Sequence, residues 1–358
     1  MTPRSAGEDV FRVPTEARRA PPAGVPGTYR ALVCRAIADD LSGTAIETLP
    51  SRGPGPGEVL VYVRAAALNF PDLLTTQGKY QYKPELPYIP GMEAAGIVAA
   101  VGDGVTRVST GDRVVIKPRT GAFAEQVVLP ESQVRPIPGD LDFATAASYQ
   151  AAAITAYVAL VRCGHLQSGE TLLVHGASGG VGVAAVQLGK HLGARVIATG
   201  TSDEKLEVVR SLGADEVINL TRENLRDRVK ALTADRGADV IYDPVGGDVF
   251  DASVRCIAWG GRLLVIGFTS GRIPTIGVNM PLIKGFSVVG VRAGEYGRRN
   301  PVLGAENQRA IDELTAQGVF RPHLCARLPI ERALDGLRMI ADRKVVGKIV
   351  LEMDQGAV

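Results

Sequence analysis

The pattern of apolar and polar positions changes character near position 151. Before it, short apolar runs at 59–64, 95–101, 112–116 and 123–129 are broken by Gly and Pro turns, with no regular strand–helix alternation. Such runs predict the strands of an irregular or barrel-like β domain. After it, strand-like and helix-like runs alternate. The run 171–175 leads through a glycine-rich turn into a helical stretch at 183–192. The run 195–198 precedes a helix at 203–212, with Ser202 as N-cap and Gly213 just past its end. The runs 217–219 and 240–242 precede helical stretches at 225–234 and 249–258, and 262–268 and 286–291 are further strands. Five or six βα repeats of this kind predict a doubly wound parallel sheet with helices on both faces. Towards the end the alternation weakens. Helices are expected at 305–317 and 330–342, then a final β-branched strand at 347–353 with no helix after it. The tail is therefore expected to return to the first domain and complete it. The expected boundaries are a disordered extension at 1–28, a β domain at 29–152, the α/β domain at 153–290 and the returning segment at 291–358.

Composition adds mainly exclusions. A chain of 358 residues with 46% hydrophobic content can bury two domain cores without disulfide or metal staples. A net charge of +2 leaves no electrostatic footprint for nucleic acid or a membrane surface. Cys34, Cys163, Cys256 and Cys325 lie far apart, which suits a reducing compartment, and no His pair has metal-ligand spacing. No apolar run is long enough to span a bilayer, so a cytoplasmic protein is expected. The first residues mix Pro, Ala and Arg with Glu8, Asp9 and Glu16. A disordered tail fits that mixture better than a transit peptide, because transit peptides avoid acids.

The main chemistry lies in the turn Ala177-Ser178-Gly179-Gly180-Val181-Gly182, between a predicted strand and a predicted helix. In that setting a glycine pattern points to a Rossmann dinucleotide site. Ala177 or Gly176 allows the tight exit from the strand. Gly179 lets the backbone approach a pyrophosphate, and Gly182 lets the helix pack closely on the strand. The phosphates would sit at the helix N-terminus, where N–H groups and the dipole favour anions. The bland alternative is a plain strand–turn–helix connection.

Which dinucleotide is decided at the end of the next strand. NAD binders commonly place an acid there for the ribose 2′-hydroxyl. This chain instead reads Gly200, Thr201 and Ser202, with room for a 2′-phosphate. Lys205 and Arg222 could supply positive charge. Asp203 and Glu204 pull the other way, or simply stabilise the first helical turn. The expected cofactor is NADPH.

With those residues in view, the chain resembles the medium-chain dehydrogenase/reductase superfamily, in its zinc-free quinone oxidoreductase branch. The resemblance runs from Tyr29 to Met353. It is carried in order by Ala67-Leu68-Asn69-Phe70-Pro71-Asp72, Gly78-Lys79-Tyr80, Pro90-Gly91-Met92-Glu93-Ala94-Ala95-Gly96, Gly111-Asp112-Arg113-Val114, the glycine turn, Gly213-Ala214-Asp215, Asp243-Pro244-Val245-Gly246-Gly247 and Gly347-Lys348-Ile349-Val350. It implies a GroES-like substrate domain, an irregular β-barrel formed by both termini, with a Rossmann domain between, and a homo-oligomer, most simply a dimer. Zinc alcohol dehydrogenases carry a cysteine in the Asn69–Asp72 motif and a histidine at Met92. They also carry a cysteine-rich structural-zinc loop, where this chain has only Lys117-Pro118-Arg119-Thr120-Gly121. No metal is therefore expected, and without a Lewis acid alcohol dehydrogenation is disfavoured.

The resemblance also assigns residues. Asn69 matches an active-site asparagine that would orient a substrate carbonyl or the cofactor ribose; otherwise it is a turn residue before Pro71. Tyr80 matches a cleft tyrosine that would donate to an oxyanion or stack on a ring, or is half-buried with its hydroxyl in water. Thr155 matches a threonine near the nicotinamide, or is an ordinary helical threonine. Gly267 and Phe268 end the fifth strand, where the nicotinamide ring would approach. Asp72 and Glu93 read as structural. Arg292, followed by Arg298 and Arg299, would bind a phosphate or carboxylate on a substrate, or forms a solvated basic loop. Leu74 and Leu220 stand where relatives have tyrosines. The expected activity is hydride transfer from NADPH to a small-molecule quinone or α,β-unsaturated carbonyl. The alternatives are reduction of a CoA- or carrier-bound enoyl thioester, or a cofactor-binding protein without enzymatic activity.

Overall fold

The computed structural model of the protein describes residues 20–353, so most of the extension expected at 1–28 lies outside the described residues. From Thr28 the chain is ordered into strands. β1 (Thr28–Cys34) and β2 (Thr44–Pro50) form an antiparallel ribbon. β3 (Glu58–Leu68) is long, apolar and buried along nearly its whole length. It ends at α1 (Phe70–Thr76), a short helix that the sequence pattern did not suggest. Pro71 suits the first turn of that helix, and the Asp72 carboxylate accepts the Asn69 backbone N–H at 2.8 Å. β4 (Ala94–Val101), β5 (Arg113–Ile116), β6 (Gln126–Pro130), β7 (Val134–Pro136) and α2 (Phe143–Ser148) follow.

The α/β unit begins with α3 (Gln150–Tyr157), which continues into a π-helical segment at Val158–Cys163. β8 (Thr171–Val174), α4 (Gly180–His191), β9 (Arg195–Gly200), α5 (Asp203–Ser211), β10 (Glu216–Asn219), α6 (Leu225–Leu232), β11 (Ala238–Asp243) and α7 (Gly247–Ser253) then alternate strictly. β12 (Ile257–Val265), α8 (Asn279–Lys284), β13 (Ser287–Gly290), α9 (Ala293–Arg299) and α10 (Pro301–Ala316) complete the unit. The sheet is six-stranded and parallel, in the order β10-β9-β8-β11-β12-β13. This is the Rossmann strand order. Leu173, Ile197, Ile218, Ile241 and Leu263 from its five inner and flanking strands meet Val229 of α6 and Phe250 of α7 in one core.

The chain then returns as β14 (Leu324–Pro329), α11 (Ala333–Ala341) and β15 (Lys348–Glu352). The C-terminal half of β3 pairs with β15 and its N-terminal half with β6, so the last strand is built into the first domain's sheet. Ile349 and Leu351 join Val61, Val63, Phe123 and Leu337 in the core there.

Two boundaries differ from those expected. The compact units are 20–148 with 324–353, and 149–323, so the return begins at 324 rather than 291. α9 and α10 belong to the α/β unit; α10 packs on α3 and buries Asn307, Ile311 and Thr315. The helix expected at 249–258 stops at Ser253, and Ile257 already pairs with Ala238 as a strand residue.

Candidate functional site

The glycine turn lies where a dinucleotide site requires it. β8 ends at Val174, and Gly176 takes a φ of 54°, a left-handed conformation that favours glycine. The buried Ala177 donates its backbone N–H to Thr199 O at 3.1 Å, which ties the turn to the end of β9. Half-buried Ser178 leads to Gly179, the extended N-cap of α4, and Gly180 is its first residue. The N–H groups of Gly180, Val181 and Gly182 are those a helix leaves without an intrahelical acceptor. A Cβ on Gly182 would lie 2.5 Å from Gly176 O and 2.7 Å from Ala177 Cα, so only glycine lets helix and strand meet here. The turn thus offers an open ring of donors at a positive helix end, which fits a pyrophosphate.

His175, one residue before the turn, is fully buried. Its Nδ1 is 2.8 Å from Thr199 Oγ1 and its Nε2 is 2.7 Å from Ser253 Oγ. Ser253 donates its own hydrogen to Val249 O, so it accepts from Nε2–H, and Nδ1 accepts from Thr199. Burial pushes the imidazole down to about 4, against the weaker pull of the Asp243 carboxylate. A neutral histidine therefore clamps the exits of β8 and β9 to α7.

At the end of β9, Gly200 is followed by exposed Thr201 and by Ser202, whose hydroxyl accepts the Lys205 N–H at 3.4 Å. Lys205 is half-buried in the first turn of α5. Asp203 is not merely a first-turn acid, because Arg222 grips its carboxylate with two hydrogen bonds of 2.6 and 2.8 Å. Gly267 and half-exposed Phe268 follow the end of β12, and the Gly267 N–H reaches Asp243 O at 3.4 Å. Thr155 lies in α3 and donates its hydroxyl to Ala151 O at 2.7 Å. All of these residues belong to the α/β unit.

The substrate-domain candidates Asn69 and Tyr80 flank α1. Tyr80 is half-buried just beyond the helix. Asn69 lies in a buried polar cluster that sequence reasoning missed. Lys348 Nζ donates to Asn69 Oδ1 at 2.6 Å and to Glu93 Oε1 at 2.8 Å. Asn69 Nδ2 donates to Glu93 Oε1 at 3.0 Å and to Ala67 O at 3.2 Å. The Lys348 and Glu93 side chains are only 5% and 0% exposed, so both charges are internal. Fully buried Asp72 lies beside them. Burial lifts its carboxyl to about 7, against the Asn69 N–H and the Lys348 charge. The expectation that Asn69 orients a substrate carbonyl is corrected here. Both amide hydrogens are committed, so the side chain retains acceptor capacity only. A lysine inside the apolar strand 347–353 was the available signal for this cluster.

The arginines are also placed differently from the basic loop considered above. Arg292 is the exposed N-cap of α9, and Arg298 and Arg299 both pair with Glu295 of that helix, at 3.1 and 3.2 Å. Among the described residues, no group of three or more His, Cys, Asp or Glu side chains is arranged to hold a metal ion.

Comparison with known proteins identifies the family. Residues 55–139 match the family model described as alcohol dehydrogenase GroES-like domain, and 180–307 match the one described as zinc-binding dehydrogenase. A quinone oxidoreductase-like protein 2 homolog of Nematostella vectensis is 39% identical over 92% of this chain and 90% of its own length. The chain belongs to the medium-chain dehydrogenase/reductase superfamily, in its zinc-free quinone oxidoreductase branch. A probable oxidoreductase of Mycobacterium abscessus shares the fold at 37% identity and a TM-score of 0.83, over 92% of this chain and all of that one. A mycobacterial protein solved in complex with NADPH superposes with a TM-score of 0.82 at 30% identity, over 90% of this chain and 99% of that one.

Proposed function

We propose that the protein is an NADPH-dependent, metal-free oxidoreductase that reduces a quinone or an α,β-unsaturated carbonyl. The observation that carries this reading is the glycine turn between β8 and α4, followed by an acid-free end of β9. The backbone N–H groups of Gly180, Val181 and Gly182 would hold the pyrophosphate. Gly200, Thr201, Ser202 and Lys205 would receive the phosphorylated adenosine ribose, and Thr155, Gly267 and Phe268 would border the nicotinamide. Bound NADPH would supply the hydride. The chain's own part is positioning and exclusion of water. Tyr80 would donate to the oxygen on which charge develops, and Asn69 would accept from a hydroxyl. An electron-poor acceptor is favoured because no Lewis acid is needed to activate it. The four unpaired cysteines suit work in a reducing compartment such as the cytoplasm.

Arg298 and Arg299 share the Glu295 carboxylate, which offsets part of the positive charge that the phosphates of an enoyl-CoA thioester would seek. The test is a panel of quinones, enones and enoyl-CoA esters followed by NADPH oxidation at 340 nm. Turnover of quinones or enones is expected. Turnover of the thioesters alone would replace this reading with the thioester one, and cofactor binding without any turnover would favour a non-enzymatic role. Lys205→Ala is expected to weaken NADPH about tenfold and leave NADH nearly unchanged.

A further inference from the structure

The loop after β10 is organised around one buried side chain. Asn219 is 5% exposed and lies opposite Gly200 in the sheet. Its Oδ1 accepts the Thr221 N–H at 3.0 Å and the Thr221 hydroxyl at 2.7 Å, forming an Asx turn. Its Nδ2 donates to Asp203 Oδ1 at 2.8 Å, and Leu220 N donates to Gly200 O at 2.9 Å. The loop is thereby bolted to the end of β9 and to the first turn of α5. Arg222 is carried by this loop and meets Asp203 in a two-point grip. Its guanidinium thus sits beside the strand end where a Rossmann unit places the adenosine ribose.

We propose that the Asp203–Arg222 clasp sets the cofactor preference of this protein; the proposal rests on the dinucleotide reading of the glycine turn. Arg222 joins Lys205 as a cation that reads a ribose 2′-phosphate. A guanidinium has five N–H donors, and Asp203 uses two of them, so three remain for an anion. Asp203 orients that fork and also opposes it. It places one negative charge against the positive charge that Arg222 offers a 2′-phosphate. The preference for NADPH over NADH is therefore smaller than an unopposed arginine would give, and it is set by the acid as much as by the base.

The experiment titrates NADPH and NADH by fluorescence into the full-length protein and three variants. Asp203→Asn keeps an oxygen for Asn219 and removes the charge. It is expected to tighten NADPH about tenfold and leave NADH within about twofold, the size of one partly screened charge change. The gain should shrink as salt is raised, which a purely structural role would not produce. Arg222→Gln is expected to weaken NADPH about tenfold with little effect on NADH. In the double variant the gain from Asp203→Asn should disappear. Thermal melts of each variant separate loss of fold from loss of affinity. An unchanged NADPH/NADH ratio in Asp203→Asn, or equal loss of both cofactors in folded Arg222→Gln, overturns the clasp and leaves the dinucleotide reading standing. If the wild type binds neither cofactor, that reading falls and the clasp proposal with it.

Discussion

Lys348 carries a charge that the apolar strand around it cannot solvate, and Glu93 carries the matching one. Each is compensated by the other, 2.8 Å away, and Asn69 links both. Removing one partner is therefore costlier than removing both. Lys348→Met removes the counter-charge of the buried Glu93 carboxylate and is expected to cost about 3–5 kcal/mol in urea unfolding. Adding Glu93→Gln should recover a substantial part, because glutamine can still accept from Asn69 and needs no counter-charge. Strict additivity of the two substitutions would show that the pair is not coupled. The same residues fix what Asn69 can do. With Lys348 on its oxygen and Glu93 and Ala67 on its nitrogen, the amide cannot rotate to offer a hydrogen elsewhere without breaking the cluster.

The junction of β8, β9 and α7 is held by His175, and its pH dependence has a definite sign. The folded imidazole titrates at about 4 and an unfolded one near 6.5, so the folded state binds fewer protons between those values. The stabilisation His175 gives is whole above pH 6.5 and is lost as pH falls towards 4. By pH 5 the loss is about 2 kcal/mol. Asp72 works in the opposite direction, because its carboxyl is raised to about 7 and the folded state gains from protonating it. The wild-type profile alone therefore hides both, and the comparison with a variant reveals one. His175→Gln is expected to be less stable at pH 7.5, and that deficit should shrink by about 2 kcal/mol at pH 5. A deficit independent of pH would mean that His175 does not carry this dependence. Much of this unit could be read in advance. Parallel strands buried on both faces appear in sequence as apolar runs, and Ser202 and Gly213 mark the ends of α5. α1 could not be read so easily, because seven residues with a proline in the first turn show no helical period. Nor could the partner of α10, because a stripe such as Ile311 and Thr315 says that a face is buried and not against what. The Lys348 cluster was hidden for a related reason, since its members stand 24 and 255 residues apart along the chain.

At the scale of the whole molecule, the outer edge of β13 is open among the described residues. β13 pairs with β12 on one side, and among the described residues no strand pairs on its other side. The surface beside that edge is apolar. Trp259 is 78% exposed, and Val278 and Leu282 are 87% and 80% exposed. The Trp259 ring lies against the end of α8, since a Cβ on Gly285 would lie 2.9 Å from it. An open strand edge beside exposed large side chains is an aggregation hazard unless something covers it. A second copy is the simplest cover. A strand meeting its own copy antiparallel about a two-fold axis satisfies both edges at once and closes the assembly. The chain is therefore expected to run at twice its mass in light scattering at micromolar concentration. Val278→Asp with Leu282→Asp should halve that mass while NADPH still binds, because neither residue touches the glycine turn or the Asp203–Arg222 clasp. A wild-type monomer under those conditions, or a variant that keeps the doubled mass, would leave the apolar face to some other partner.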